Sequence, residues 1–260
     1  MKISLLQHIS PSLPLIITLF ENEKAPQAEL GKPFQEAIAL HLKEKTFSGK
    51  ESEYLLTHVV DQGHLVPTIC FGLGKKGSRS EYQARILGAQ IFKAARRFKK
   101  KEIAVLIPKE IKEKLEAFMQ GILLSDFDPA IHKTGEEKKK KEESEISSIH
   151  LISASWSKKD DEIFKKARAT SEVVNEVRCL VNKAPDRLDT NGFVEAAKTI
   201  AKNSGLKFID FDKSDLTKMG MGGILAVNRG SDQGAHMVIL EYLPNKDESP
   251  IVLVGKGIIF

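Results

Sequence analysis

Cysteine and aromatic residues are scarce in this chain. Two cysteines, Cys70 and Cys179, and a single tryptophan are spread over 260 residues. The cysteines sit far apart, in a strand-like and a helix-like apolar context, so the chain has neither a disulfide framework nor a CxxC motif. Buried free thiols in a reducing compartment are the expectation. Long apolar runs are also missing. Leu13 to Phe20 carries a proline and a threonine and falls far short of the ~20 residues that span a bilayer. Met1 to His8 has no signal-peptide layout, and the expected location is the cytoplasm, with no membrane partner. A large charge excess is absent too, with 40 basic against 35 acidic residues and a net charge of +5. The densest basic cluster, Arg96 to Lys101, suits the solvated end of a helix. A nucleic-acid footprint would need a basic face together with base-reading elements. Seven histidines show no HxxxH or HxxEH pairing, and zinc sites need clustered ligands. GxSxG is absent, which leaves serine hydrolase chemistry unsupported.

What the sequence does contain is a βαβα rhythm. Leu15 to Phe20, Val66 to Phe71 and Ile103 to Ile107 read as strands. Pro33 to Lys45, Ser80 to Lys100 and Ile111 to Leu124 read as helices with apolar faces. The expected fold class is α/β, a mainly parallel sheet with helices on both faces. Residues 134 to 145 hold no large apolar side chain and read as an exposed charged loop. Ile149 to Ile152 reads as the last strand of a first domain covering residues 1–156. The remainder, 157–260, opens with a helix from Asp160 to Val181, long enough to span roughly 33 Å. Its expected packed side is Ile163, Phe164, Ala167, Val173, Val174 and Val177. A shorter helix capped by Asp189 or Thr190 follows and ends near Gly205. Leu206 to Phe211, Leu225 to Val227, Met237 to Tyr242 and Ile251 to Val254 read as strands of a second, incomplete α/β domain.

Three motifs invite chemistry. Phe71-Gly-Leu-Gly-Lys-Lys-Gly77 contains GxGxxG between a strand and a helix, the setting of a phosphate-cradling turn. The acidic residue expected about 20 residues on is not there, so a plain turn competes with nucleotide binding. Gly220-Met-Gly-Gly223 is denser in glycine than a simple connection requires. Lys256, between Gly255 and Gly257 at the end of an apolar run, is different in kind. At a buried strand end it must find an anion or lose its proton, and a neutral amine can ligate a divalent metal. A snorkelling surface lysine is the alternative.

In combination and in order, these pieces resemble the leucyl aminopeptidase, or cytosol aminopeptidase, family. Arg178-Cys-Leu-Val-Asn182 with Pro185 is similar to the family's Arg-Asp-Leu-x-Asn-x-Pro-Pro-Asn segment. Asp215-Leu-Thr-Lys-Met-Gly-Met-Gly222, with Leu225-Ala-Val and Gly230-Ser231, resembles its Met-Gly-rich turn. Tyr242 with Pro244 resembles its Tyr-x-Pro segment. Val254-Gly-Lys-Gly-Ile-Ile-Phe260 is similar to its Val-Gly-Lys-Gly-Ile-Thr-Phe-Asp metal-binding strand. The first half matches through Phe47-Ser-Gly-Lys50, Phe71-Gly-Leu-Gly74, Arg85 with Gly88, Gly121 with Leu124, and Lys133-Thr134. Cys179, Ala184, Asp186 and Ile259 depart from the family pattern and alter loop detail.

The resemblance implies a macrodomain-like N-terminal α/β domain followed by the truncated beginning of an α/β catalytic domain. It implies a hexameric metallopeptidase that hydrolyses the N-terminal residue from peptides with a free N-terminus, in protein turnover. Two divalent ions, manganese or zinc with magnesium as a third option, would polarise the scissile carbonyl and generate a hydroxide at neutral pH. Lys256 is the one metal ligand that carries over. No catalytic residue of the family falls within this chain. The expectation is therefore a leading part of an aminopeptidase that is inactive by itself. The competing expectation is a non-catalytic binding module for an ADP-ribose-like ligand or DNA, motivated by the Gly72 to Gly77 turn and the Arg96 to Lys101 cluster.

Overall fold

The computed structural model describes residues 1–8, 12–23, 30–129, 145–245 and 247–259. Lys133, Thr134 and all of the charged loop but Glu145 lie outside the described residues, as does Phe260. Contacts divide the chain into two compact units, Met1–Arg178 and Cys179–Phe260.

The first unit is built on six strands: β1 (Lys2–Leu6), β2 (Leu15–Leu19), β3 (Tyr54–Asp61), β4 (His64–Gly72), β5 (Glu102–Leu106) and β6 (Ser148–Ile152). Their order is β1-β6-β5-β2-β4-β3. Neighbours are parallel except β3, which returns antiparallel beside β4. Gln62 and Gly63 make that reversal with φ of 49° and 80°, the left-handed pair that a tight hairpin demands. The expected mainly parallel α/β sheet is therefore present. Two strands, β1 and β3, were not foreseen, because both lie at the sheet's edges and carry weaker apolar signals than the central ones.

Central β2 is buried along its whole length. Its alternation feeds two cores: Leu15, Ile17 and Leu19 face one, and Ile16 the other, as the two-residue period of a strand requires. Helix α1 (Lys32–Lys43) closes the first core with Phe34 and Ile38. Helices α2 (Glu81–Ala95), α3 (Lys109–Lys112), α4 (Leu115–Ser125) and α5 (Lys158–Val181) contribute to the second. α2 begins with a reciprocal cap, Ser80 Oγ accepting from Gln83 N and the Gln83 side chain accepting from Ser80 N. α2 and α4 cross where Gly88 meets Gly121. A Cβ on Gly88 would lie 2.1 Å from the Phe118 carbonyl oxygen, and one on Gly121 would lie 2.0 Å from that of Arg85. Arg85 Nη2 donates to Gln120 Oε1 across the same crossing at 2.9 Å.

Two helical expectations need correction. The helix read from Ile111 to Leu124 is broken into α3 and α4 at Lys114, whose backbone leaves the helical region. The break keeps both Ile111 and Leu115 in the core. In α5, Ile163, Phe164 and Ala167 pack as expected, but Val173, Val174 and Val177 are exposed. The helix outruns the apolar core, and its later turns are held by polar contacts instead. Asn175 Nδ2 donates to Leu123 O at 3.1 Å and Arg178 Nη1 to Leu124 O at 2.9 Å.

The second unit holds α6 (Thr190–Ser204), β7 (Lys207–Phe211), α7 (Lys213–Lys218), α8 (Gly222–Asn228) and β8 (Met237–Glu241). Asp189 caps α6 by accepting from Gly192 N at 2.7 Å, and Gly205 ends it in the left-handed region. β7 and β8 pair antiparallel. Leu225 to Val227, read as a strand, lies inside α8. Ile251 to Val254 also forms no strand, and Ile251, Leu253 and Val254 are each 92% exposed. A β-branched run becomes a strand only when a ladder receives its amides. Among the described residues the sheet of this unit stops at β7 and β8.

Candidate functional site

The glycine-rich segment Phe71 to Gly77 leaves the end of β4, and its neighbour in space is Phe47 to Lys50. A Cβ on Gly72 would fall 2.0 Å from the Lys50 carbonyl oxygen. Glycine is needed there for close backbone approach. Gly72 N donates to Glu53 O at 2.7 Å, Leu73 N to Leu19 O at 2.8 Å and Gly74 N to Gly49 O at 2.8 Å. The amides of Gly72, Leu73 and Gly74 are thus committed within the fold. Nearby, the Glu53 carboxylate accepts from Ser48 N at 3.0 Å, Ser48 Oγ at 2.8 Å and Lys50 N at 3.0 Å. Burial pushes that carboxyl up, but the hydrogen bonds from Ser48, Lys50 and Gly49 outweigh it and hold it below the usual glutamate range. An internal anion already fills these amides.

Beside the turn lies a shallow concavity of about 230 Å³ lined in part by Leu73, Arg79, Tyr82 and Ile86. Arg79, its cation, donates to Leu73 O and lies over the Phe20 ring. Lys76 is paired with Glu110 at 2.6 Å. Lys76 and Arg79 therefore brace the fold. The Arg96 to Lys101 cluster is used in part the same way: Arg96 lies over Phe92 and Arg97 over Tyr54, 4.4 Å from the ring centre.

Arg178, which opens the first family-like segment of the second half, donates to the last turn of α4 and lies over Phe127. The Met-Gly-rich segment forms α7, a left-handed turn at Gly220 and α8, with Asp212 Oδ1 accepting from Asp215 N at 2.9 Å. Sequence reasoning missed one pair here. His236 Nδ1 lies 2.9 Å from Asp210 Oδ1 and ties β7 to the segment entering β8. Nothing in the spacing signals it, because strand pairing alone brings the two together. Cys70 is buried in the first unit, and desolvation pushes its thiol up to about 12, so it is an inert core residue.

Lys256 is exposed, in a segment without regular structure. This departs from the buried strand end expected for it. Among the described residues, no group of three or more His, Cys, Asp or Glu side chains is placed to hold a metal ion. One amine does not make a two-metal centre, so the residues present do not fit that group by themselves.

Comparison with known proteins decides the family. Residues 16–134 match the profile described as "Cytosol aminopeptidase family, N-terminal domain". Residues 175–260 match "Cytosol aminopeptidase family, catalytic domain". The chain belongs to the cytosol aminopeptidase family. The fold agrees with that membership. A mutant of tomato leucine aminopeptidase superposes with a TM-score of 0.72 at 20% identity, over 91% of this chain and 50% of the other. The bottromycin maturation enzyme BotP in complex with Mn gives 0.65 at 17% identity, over 90% and 45%. A second structure of BotP gives 0.66 at 17%, over 89% and 46%. At these identities the likeness is one of fold. The chain spans about half the length of these solved relatives of the family. No helix among the described residues is long and apolar enough to cross a membrane.

Proposed function

We propose that this chain serves a metal-dependent aminopeptidase that removes N-terminal amino acids from peptides with a free N-terminus, in cytoplasmic protein turnover. The observation that carries this is the pair of family profiles, matched in family order along one chain. The commitment of the Gly72 to Gly74 amides within the fold favours it over a phosphate-binding module. In this reading residues 1–156 are the supporting domain, residues 157–260 supply part of the catalytic domain, and the assembly is a homo-hexamer. Lys256 would give one nitrogen to one of two divalent ions, with manganese or zinc the expected metals. BotP bound to Mn is the supporting precedent for the metal class.

The 260-residue chain alone is inactive in this proposal, since a single lysine cannot retain two dications and the described residues bring no acidic or imidazole cluster to help it. Purified as given, it should release no nitroaniline from leucine p-nitroanilide with manganese or zinc added. The polypeptide that carries this sequence in its native cells should release it in a metal-dependent manner. In that polypeptide, Lys256→Met should lower bound metal and reduce kcat/KM by two orders of magnitude or more. Hydrolysis by the 260-residue chain would overturn the inactivity proposal. A native polypeptide with no aminopeptidase activity in either metal would overturn the functional reading.

A further inference from the structure

The turn from Ser48 to Glu53 and the turn from Gly72 to Gly77 are fastened to each other. Ser52 N donates to Gly72 O at 3.1 Å and Gly74 N to Gly49 O at 2.8 Å. A Cβ on Gly74 would lie 3.0 Å from the Glu51 Cβ. Within the first turn, Glu53 N donates to Lys50 O at 3.0 Å, and the Glu53 carboxylate takes the Ser48 and Lys50 amides. Glu51 is the acidic residue that this bracing leaves outside. It is exposed and lines the concavity of about 230 Å³ beside the turn.

Arg79 is held on the same concavity by two contacts, the donation from Nη2 to Leu73 O and its place over the Phe20 ring. A guanidinium has further N–H donors to give, and Arg79 forms no ion pair among the described residues. Gln90 is a third polar group of the lining. Neither its side-chain amide nor the Glu51 carboxylate has a hydrogen bond or ion pair among the described residues. The apolar part of the lining is Leu73 and Leu87, both buried, together with Ile86, 41% exposed, and Tyr82, 68% exposed. One anion, one cation and an apolar surface therefore share a single small concavity, and the two charges are not paired with each other.

We infer that this concavity binds a free α-amino acid with an apolar side chain, leucine being the type. The ammonium group meets Glu51 and Gln90, the carboxylate meets the open N–H groups of Arg79, and the side chain covers the apolar lining. Charge complementarity selects a zwitterion. A phosphate would lie beside the Glu51 carboxylate and a simple amine beside the Arg79 cation, and like charges at close range repel. The volume is below the roughly 300–1,000 Å³ of clefts that take drug-sized ligands, which suits one amino acid better than a nucleotide. Ion pairs at exposed groups contribute little each, so binding is weak and its selectivity comes from meeting all three groups at once. The choice of ligand rests on the aminopeptidase reading in one respect, since free amino acids are what such an enzyme releases. The binding itself does not.

L-Leucine titrated into the 260-residue chain, with EDTA present to remove any metal-bound mode, should shift the Glu51, Arg79 and Gln90 backbone amides saturably in nitrogen–proton spectra. Glycine, leucinamide and 4-methylpentanoate each lack one recognised group: the side chain, the carboxylate or the amine. Each should bind about tenfold more weakly or worse. Glu51→Gln changes an exposed residue whose carboxylate holds no described contact, so its far-ultraviolet circular dichroism should match the parent. Its leucine affinity should fall by about tenfold or more. Three results would overturn the proposal: no saturable shift, an analogue that binds as tightly as leucine, or a Glu51→Gln variant that binds leucine as tightly as the parent. Inorganic phosphate that displaces leucine from the same amides would overturn it in favour of an anion site. Leucine binding by this chain, with no peptidase activity in the native polypeptide, would sink the functional reading and leave the site standing. The reverse pair of results would sink the site alone.

Discussion

Asp160 is a buried charged residue that holds the start of α5. It is buried near the start of α5, accepting from Ser157 N and Ser157 Oγ at 2.8 Å and lying 3.2 Å from Lys112 Nζ. Lys112 also donates to Ser155 O and lies over the Trp156 ring. Burial pushes the Asp160 carboxyl up, but the Ser157 hydrogen bonds and the Lys112 charge prevail and hold it below the usual aspartate range. A depressed carboxyl stabilises the fold above its unfolded value of about 4. That stability is lost as pH falls through the lower folded value. Asp160→Asn should therefore cost about 1–2 kcal/mol at pH 7 and flatten the acid limb of the stability profile. Trp156 is the single tryptophan, and its indole N–H donates to Leu6 O at 2.8 Å. Its fluorescence during urea unfolding at several pH values makes the measurement. A pH profile unchanged by the substitution would refute this account.

At the scale of elements, the α2–α4 crossing is a close backbone-to-backbone contact of the first unit. Gly88 and Gly121 each meet a backbone carbonyl oxygen across it, and backbone cannot rotate aside as a flexible side chain can. Gly88→Ala should destabilise the first unit by about 3 kcal/mol, at the upper end of overpacking costs. Gly63→Ala, on an open hairpin turn at φ +80°, should cost only about 1 kcal/mol through backbone strain. The urea midpoints should rank accordingly, and equal midpoints would show that the helices can separate freely. These two positions also mark what the sequence could convey. Gly88 and Gly121 were legible as parts of a family-like pattern, but their partnership was not, because 33 residues of chain separate them and no periodicity links the two helices. His236 and Asp210 were invisible for the same reason.

For the whole molecule, the contrast between the two units sets the dynamics. Most of the large, fully buried side chains lie in the first unit, including Phe34, Phe47, Phe92 and Phe118. The second buries few apolar side chains, chiefly Leu188, Val194, Ala197, Ala201, Leu216 and Ala235, and leaves Tyr242 and Ile251 to Val254 exposed. Local stability follows buried apolar contact and paired backbone. Amides of β2, β4 and β5 should exchange slowest, at rates set by global unfolding. Those of β8 and of residues 251–259 should exchange orders of magnitude faster. Equal protection in the two units would contradict this and would mean that the second unit is stabilised by contacts other than its own core.

Periodicity and cap chemistry by themselves determined the α/β class, the central strands and the two ends of α6, and short motifs that resemble a known family pointed to the family. The tertiary structure decided everything that needs a partner distant in sequence. β3 became a strand because β4 receives its amides, while the equally β-prone Ile251 to Val254 found no ladder and stayed irregular. Val173 and Val177 matched the helical period of a packed face, yet the core ends before them. The surroundings of Lys256 belong to the same group, because a side chain's solvent and neighbours are properties of what folds around it, and no arrangement of its two flanking glycines encodes them.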